Sequence, residues 1–242
     1  MKVENAIKSI PSKYPQFVNL SLDTDGDSLT SLIAHYSHLH SGVPTISLIL
    51  SLARNPPSTP CPNSKISSET LQDVRTTRLR TIFTEDPVHA RTIAWHAGQI
   101  IGISRYRPVH TPAEAMRVFL AGVVLWGVAK WFVECRPITT ANTRRCNVNN
   151  SCRSIRLDAI PIPSSNPESS HGMPVNVTEW LKTGEGRATI RKDGDGAEPC
   201  EAQLCSEQGA KDVLQVVINI LGKMRIWGLG AEFRRVLEFL GK

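Results

Sequence analysis

The chain has 242 residues, 40% of them hydrophobic, and a formal net charge of +6 at pH 7. This apolar content is enough for a sizeable core in one domain, with or without a tail. The first ten residues contain no uninterrupted apolar stretch of signal-peptide length, which argues against a secreted protein. The modest positive charge does not by itself indicate a nucleic-acid partner, because many other proteins carry as much.

The cysteines do not form a recognisable metal site. No two of them have the two-residue gap of a zinc-finger knuckle, and no histidine pair follows at finger distance. In a chain that is not exported we expect reduced thiols. This expectation covers all six cysteines, which are Cys61, Cys135, Cys146, Cys152, Cys200 and Cys205. We also expect no metal and no other cofactor in this chain.

Residues 1–28 are predicted to form a polar, turn-rich N-terminal segment. Aspartates alternate over residues 23–27 as in a calcium-binding loop. Ser28 stands where such a loop needs glycine and Ala34 where it needs glutamate, so a calcium site is excluded. Asp27 or Ser28 is instead predicted to be the N-cap of the first helix.

Apolar residues at helical spacing predict five helices in the first half of the chain. They cover about residues 29–40, 45–53, 68–83, 87–107 and 112–132. Asp86-Pro87 and Thr111-Pro112 each combine a capping side chain with a first-turn proline, whose missing N–H costs nothing there. Glu114 is predicted to complete a capping box with Thr111.

The helix that follows Thr111 is apolar on every side. From Val118 to Ala129 no charged residue interrupts it, so it must be wrapped by other helices or lie in a membrane. The apolar stretch is shorter than the roughly 20 residues that a bilayer crossing needs, and Arg117 and Lys130 bracket it. We therefore predict the central helix of a soluble helical domain and no membrane partner.

Residues 134–173 are rich in proline, asparagine and serine, and they predict a surface loop or a flexible insertion. Asn176 is predicted to cap a short helix that ends at Gly184, and residues 185–207 are polar and loose. Two strong helices follow, at about 209–224 and 231–240. No stretch shows convincing strand alternation. The predicted fold class is therefore all-α, with one helical domain over residues 29–242 and the insertion before its last helices.

Several histidines were considered as site residues. His35 and His38 share a face of the first helix, but no carboxylate or cysteine lies nearby in sequence to complete a metal-ligand set. His96, which follows Trp95, is predicted to be a hydrogen-bonded, half-buried residue rather than a catalytic base. We predict no catalytic, cofactor-binding or metal-binding residue.

Motifs for catalysis are missing from the sequence. It contains no Gly-x-Ser-x-Gly nucleophile elbow and no glycine-rich phosphate loop placed after a strand. Its carboxylate pairs lie at predicted helix caps and turns, where the helix dipole and solvent explain them. We expect that the protein is not an enzyme.

Arginines in the third and fourth helices could form a basic stripe. They are Arg75, Arg78, Arg80 and Arg91. No finger, basic zipper or aromatic sheet motif for nucleic-acid binding accompanies them. A solvated helix face with acidic neighbours is the preferred interpretation.

Five segments together resemble the regulatory (middle homology) domain of fungal-specific transcription factors. In chain order they are Ala34-His-Tyr36 with Val43-Pro44; Ala94-Trp-His-Ala-Gly-Gln-Ile100; Arg107-Pro-Val-His-Thr-Pro112 with Met116 to Trp126; Val213 to Leu221 with Trp227-Gly-Leu; and Phe233 to Leu240. The order and spacing of the segments carry the resemblance, which covers about residues 29–133 and 209–240. It is greatest to members that carry Cys-Cys-His-His zinc fingers.

The resemblance implies an all-α regulatory domain of a nuclear, DNA-binding transcription factor that acts in RNA polymerase II transcription. Family members read promoter DNA through a zinc-binding module that precedes this domain, and zinc is implied only for that module. The cysteines here fit neither a finger nor a six-cysteine cluster. We therefore expect a C-terminal fragment, or a factor without its DNA reader, whose partners are coregulator proteins and a second copy of itself.

Two other functions stay open on the sequence. The first is a free-standing helical interaction protein that modulates full-length factors; finger codons in frame upstream of Met1 would argue against it. The second is a small all-α enzyme or ligand carrier, which would need a deep pocket with polar groups around His96, Gln99 and Trp126.

Overall fold

A computed structural model describes residues 25–54, 68–132, 153–160, 174–192, 200–206, 208–224 and 228–241. Of these residues 76% are helical, in eight helices, and three short strands form a small sheet. The predicted all-α class is therefore confirmed for the described part of the chain. The predicted domain limits (1–28, and 29–242 with an insertion at 134–173) stay predictions. Most of the first segment and of the insertion lies outside the described residues.

The elements follow one another along the chain in a fixed order, which we number separately for helices and strands. They are α1 (Asp25–Ser41), α2 (Val43–Arg54), α3 (Ser68–Glu85), α4 (Pro87–Tyr106), α5 (Pro112–Trp131), β1 (Ser154–Arg156), α6 (Val175–Thr183), β2 (Arg187–Lys192), β3 (Cys200–Gln203), α7 (Gly209–Lys223) and α8 (Leu229–Leu240). All helices predicted from apolar spacing are present, most of them with ends within a few residues of the prediction.

Helix α5 is the centre of the bundle. It packs mainly against α4 and α7, with further contacts to α2, α3 and α8. Among the described residues it is the one helix long and apolar enough to cross a membrane, and 67% of its apolar stretch is buried inside the protein. The prediction of a helix wrapped by other helices is therefore confirmed.

The predicted caps of α4 and α5 are present, with one difference. The Asp86 carboxylate accepts a hydrogen bond from the His89 N–H at 2.9 Å, and the Thr111 hydroxyl accepts one from the Glu114 N–H at 3.1 Å. The Glu114 carboxylate, which is fully buried, accepts the N–H groups of Val109 and His110 instead of that of Thr111. Glu114 thus holds the α4–α5 connection as well as the helix end.

Two other capping predictions were wrong. Helix α1 already begins at Asp25, so Asp27 and Ser28 lie inside its first turn. Helix α6 begins after Pro174 with no side-chain cap, and Asn176 lies inside it. The predicted stop at Gly184 is correct: its φ of 78° lies in the left-handed region that glycine favours.

The prediction that the chain contains no strand was wrong at three places. The order in the sheet is β1-β2-β3; β1 runs parallel to β2 with Ile155 opposite Ala188, and β3 runs antiparallel with Ala202 opposite Ile190. These four side chains are buried. The sheet therefore covers one side of the helical bundle with residues that the sequence pattern had assigned to loops.

The prediction of reduced thiols was wrong for Cys205, which is disulfide-bonded and buried. Cys200 carries a free, exposed thiol. The other four cysteines lie outside the described residues.

Candidate functional site

Three imidazole rings meet where α1 packs against α4. His35 and His38 come from one face of α1, as predicted, and His96 comes from the middle of α4. The Nδ1 atoms of His35 and His96 are 2.9 Å apart, which is a hydrogen bond with one ring as donor and the other as acceptor. The ring of His38 stacks on that of His96 with a centroid distance of 4.8 Å and an interplanar angle of 12°. We call these three residues the histidine junction.

Burial keeps His35 and His96 of the histidine junction uncharged. The pKa of His35 is lowered from 6.5 to about 4, first by burial and then by the nearby charge of His38. The pKa of His96 is also lowered to about 4, by burial and then by His35 and His38. Near pH 7 both rings are therefore neutral. The hydrogen bond between the two nitrogens needs at least one neutral ring, because a protonated imidazole has no acceptor nitrogen.

Helix α5 contacts α1 through a separate group of side chains. The Arg117 guanidinium lies 5.3 Å from the centre of the Tyr36 ring, and the His40 ring meets Tyr36 edge-on at 4.5 Å. Cation–π contacts of this length at a half-exposed position contribute about 0.5–1 kcal/mol. Helix α1 thus contacts α4 through His35 and His38, and α5 through Tyr36.

Further along α4, a second polar contact binds the turn that follows β1. The Gln99 amide donates to the carbonyl oxygens of Leu157 at 2.6 Å and Ala159 at 3.0 Å. The Asp158 carboxylate, which is completely buried, is paired with the Arg105 guanidinium. We call Gln99, Arg105 and Asp158 the turn clamp.

Strand β2 adds to the turn clamp. The backbone N–H of Arg191 donates to both oxygens of Asp158 at 3.3 Å, and Arg105 donates to the Arg191 carbonyl at 2.7 Å. Arg156 lies 3.5 Å from the same carboxylate. Several donors therefore offset the cost of burying the charge of Asp158.

Glycines let the turn approach α4 closely. A Cβ at Gly102 would lie 2.5 Å from the Asp158 carbonyl oxygen, and one at Gly98 would lie 2.5 Å from the Leu157 Cβ. Contacts this short do not occur with real side chains, so the turn could not reach α4 past an alanine at either position. Residues 153–160, inside the predicted insertion, are held in place by this contact.

The four arginines that could have formed a basic stripe do not lie together, in line with the preferred interpretation. Arg75 is half-buried and Arg78 and Arg80 are exposed on α3, whereas Arg91 is buried in α4. Arg91 donates to the carbonyl oxygens of Leu181 at 2.9 Å and Lys182 at 3.3 Å, at the C-terminal end of α6. A cation there compensates the negative end of the helix dipole. Arg91 therefore has a structural role, and only the α3 arginines face solvent.

The polar groups considered for a ligand pocket do not converge. Gln99 is hydrogen-bonded in the turn clamp, His96 belongs to the histidine junction, and Trp126 packs edge-on against Trp131 at 5.0 Å. Within the described residues, no group of three or more histidine, cysteine or acidic side chains is arranged to hold a metal ion. The arrangement supports packing and protein contacts; the expectation that the chain is not an enzyme stays a prediction.

Sequence reasoning missed Asp158 and Arg105, the most deeply buried ion pair among the described residues. Asp158 lies in the predicted insertion and Arg105 in the last turn of a helix, and 53 positions separate them. A possible signal was the alternation of Ile155 and Leu157 with Arg156 before a lone aspartate, but nothing in the sequence identifies the partner of that aspartate.

Comparison of the chain with protein-family models, with curated proteins and with solved structures finds no match.

Proposed function

We propose that this chain is the regulatory domain of a nuclear transcription factor that acts in RNA polymerase II transcription. The observation that carries the proposal is the meeting of the resembling segments in one core. Ala34 to Tyr36 lies on α1, Ala94 to Ile100 on α4 and Met116 to Trp126 on α5. Helices α1 and α4 meet at the histidine junction, and α5 contacts α4 along its length and α1 through Arg117.

The contacts between these segments are specific side-chain pairs. His35 of the first segment is hydrogen-bonded to His96 of the second, and Tyr36 of the first lies under Arg117 of the third. Residues that carry the resemblance therefore contact one another, although 61 positions separate His35 from His96 and 81 separate Tyr36 from Arg117. If the resemblance had no structural basis, we would not expect these segments to contact one another.

The C-terminal segments join the same core. Helix α7, with Val213 to Leu221, packs along α5. Phe233 of α8 stacks on Phe119 of α5 with a centroid distance of 4.5 Å. The resembling segments thus belong to one bundle whose centre is α5, as expected of a single regulatory domain.

The chemistry of this bundle suits protein contacts. The polar side chains of its two clusters contact mainly other groups of the same domain, while exposed apolar side chains remain on several helices, among them Leu71, Val74, Val236 and Phe239. Such a domain would contact coregulator proteins or a second copy of itself. It would reach promoter DNA through a module outside this chain.

A tethering experiment tests the proposal. The chain is fused to a heterologous DNA-binding module and its effect on a reporter gene with matching promoter sites is measured in yeast. We expect a change in transcription that the DNA-binding module alone does not give. The same fusion carrying Asp158→Ala, which removes the centre of the turn clamp, should lose the effect, while exposed Glu232→Ala should keep it.

An unchanged reporter with a well-expressed fusion would contradict the proposal. A second measurement distinguishes the regulatory domain from a direct DNA binder: titration of the purified chain with random duplex at about 50 and 200 mM salt. The proposal expects no strongly salt-dependent binding. Tight binding that weakens steeply with salt would mean that the exposed arginines contact phosphates.

A further inference from the structure

Helix α3 carries a surface that the core does not use. Only Leu79 and Phe83 of its apolar side chains are fully buried, whereas Leu71 is 50% and Val74 57% exposed. Leu71, Val74, Arg75 and Arg78 stand at i, i+3, i+4 and i+7, so they share this side of the helix, and Arg75 is the one half-buried member. We call these four residues the α3 face.

The charge of the α3 face is positive. Arg75 and Arg78 lie beside Leu71 and Val74, whereas Asp73 and Arg80 lie on the other side of the helix. Within the described part of the chain, neither the Arg75 nor the Arg78 guanidinium makes an ion pair or a hydrogen bond. Their charge is therefore available to an acidic partner.

We propose that the α3 face docks an acidic amphipathic helix of a partner protein. Leu71 and Val74 would receive the apolar side chains of that helix, spaced three and four residues apart, and the arginines would face its carboxylates. The inference rests on the proposed function, since it names the chemistry of the coregulator that the regulatory domain contacts.

Apolar exposure favours a protein over a nucleic acid here. Phosphate groups would use the arginines but would gain nothing from Leu71 and Val74. A helix with alternating apolar and acidic faces uses both kinds of side chain. Burying two aliphatic side chains that are half exposed contributes on the order of 1–3 kcal/mol to such an interface.

The test is fluorescence anisotropy with the purified full chain. The probe is a labelled peptide of about 16 residues with leucines at helical i, i+3, i+4 and i+7 positions and glutamates elsewhere. We expect saturable binding in the range of tens of micromolar, and weaker binding of a peptide of the same composition whose order is scrambled. No binding up to about 1 mM, or equal binding of the scrambled peptide, would overturn the proposal.

Two variants locate the binding site. Val74→Asp should weaken binding about tenfold and Arg78→Glu about fivefold, because they remove an apolar contact and reverse a charge. Val236→Asp is the matched control, since it places the same charge at an exposed valine of α8, and it should leave the affinity unchanged. Thermal melts establish that all three variants remain folded.

Other outcomes are also decisive. If Val236→Asp weakens peptide binding as much as Val74→Asp does, the affinity depends on the net charge of the protein and the proposal is wrong. If random duplex DNA competes for the same site and Arg78→Glu abolishes DNA binding, the face is a nucleic-acid surface. The anisotropy experiment measures peptide binding without a reporter gene. Peptide binding can therefore be absent while the tethered domain still regulates transcription, so the two proposals are tested separately.

Discussion

Helix α4 takes part in two polar contacts, the turn clamp and the histidine junction, and ionisable groups are buried in both. The turn clamp keeps its groups charged, whereas two histidines of the junction are neutral. In the turn clamp the Asp158 carboxylate is 0% exposed and is balanced by Arg105 and by backbone N–H groups. In the histidine junction the pKa values of His35 and His96 are both lowered to about 4, so the rings carry no charge near pH 7. A buried charge persists where donors surround it, and elsewhere the group becomes neutral.

The largest expected effect comes from the turn clamp. Asp158→Ala leaves the Arg105 guanidinium buried without its carboxylate, and it removes an acceptor from the Arg191 N–H. We expect a loss of about 3–5 kcal/mol in the free energy of unfolding, measured by urea denaturation. Glu232→Ala on α8 is the control: it removes an exposed carboxylate 2.6 Å from Arg235 and should change stability by less than about 1 kcal/mol. Equal losses in the two variants would contradict the difference between buried and exposed pairs.

The histidine junction should make the protein sensitive to acid. The unfolded chain binds protons to His35 and His96 near pH 6.5, and the folded chain binds them only near pH 4. Between these values the unfolded state holds more protons, so stability falls as pH falls. We expect a loss on the order of 3 kcal/mol between pH 7 and pH 4, below the sum of the two shifts because the rings are partly exposed.

Denaturation curves at pH 7, 6, 5 and 4 measure this loss. The control is His35→Gln, which keeps a hydrogen-bonding side chain but has no charge to gain. This variant should lose about half of the pH dependence that is specific to the junction. A variant with the full dependence of the original chain would show that other groups cause the acid sensitivity.

The close approach in the turn clamp can be tested separately from its charges. Gly102→Ala places a Cβ against the Asp158 carbonyl, and we expect it to cost about 1–3 kcal/mol although alanine is the better helix former. Gly222→Ala in α7 is the matched control, because its nearest neighbour is the flexible Arg234 side chain at 3.5 Å. The control should be neutral or stabilise by up to about 1 kcal/mol. A neutral Gly102→Ala would show that the turn can move away from α4 at little cost.

The two contacts also show where sequence reasoning succeeds. Helices α4 and α5 were predictable because the caps at Asp86 and Thr111 and the apolar spacing are local signals. The partners in the turn clamp were not, since Asp158 and Arg105 are 53 positions apart and each alone resembles a surface residue. His35 and His38 were placed on one face correctly, but the third ring, His96, depends on how α1 crosses α4.

The strands were missed for a related reason. β1 has three residues and β3 four, which is too short for an alternating pattern to stand out. Their stability comes from pairing with β2, and that pairing depends on long-range contacts such as Ile155 opposite Ala188. Local propensity therefore predicted the bundle, while the sheet and the turn clamp are products of tertiary packing.

The smallest expected effect concerns His38, the exposed member of the histidine junction. His38→Ala removes the ring stacked on His96 and should change stability near pH 7 by less than about 0.5 kcal/mol, because the side chain is solvated in both states. Its charge contributes to the lowered pKa values of His35 and His96, so both pKa values should rise when it is removed. NMR titration of the imidazole protons would detect this rise. Unchanged pKa values would mean that the His38 charge does not help to keep His35 and His96 neutral. The difference between these neutral rings and the charged pair of the turn clamp would then be due to desolvation rather than to the charge of His38.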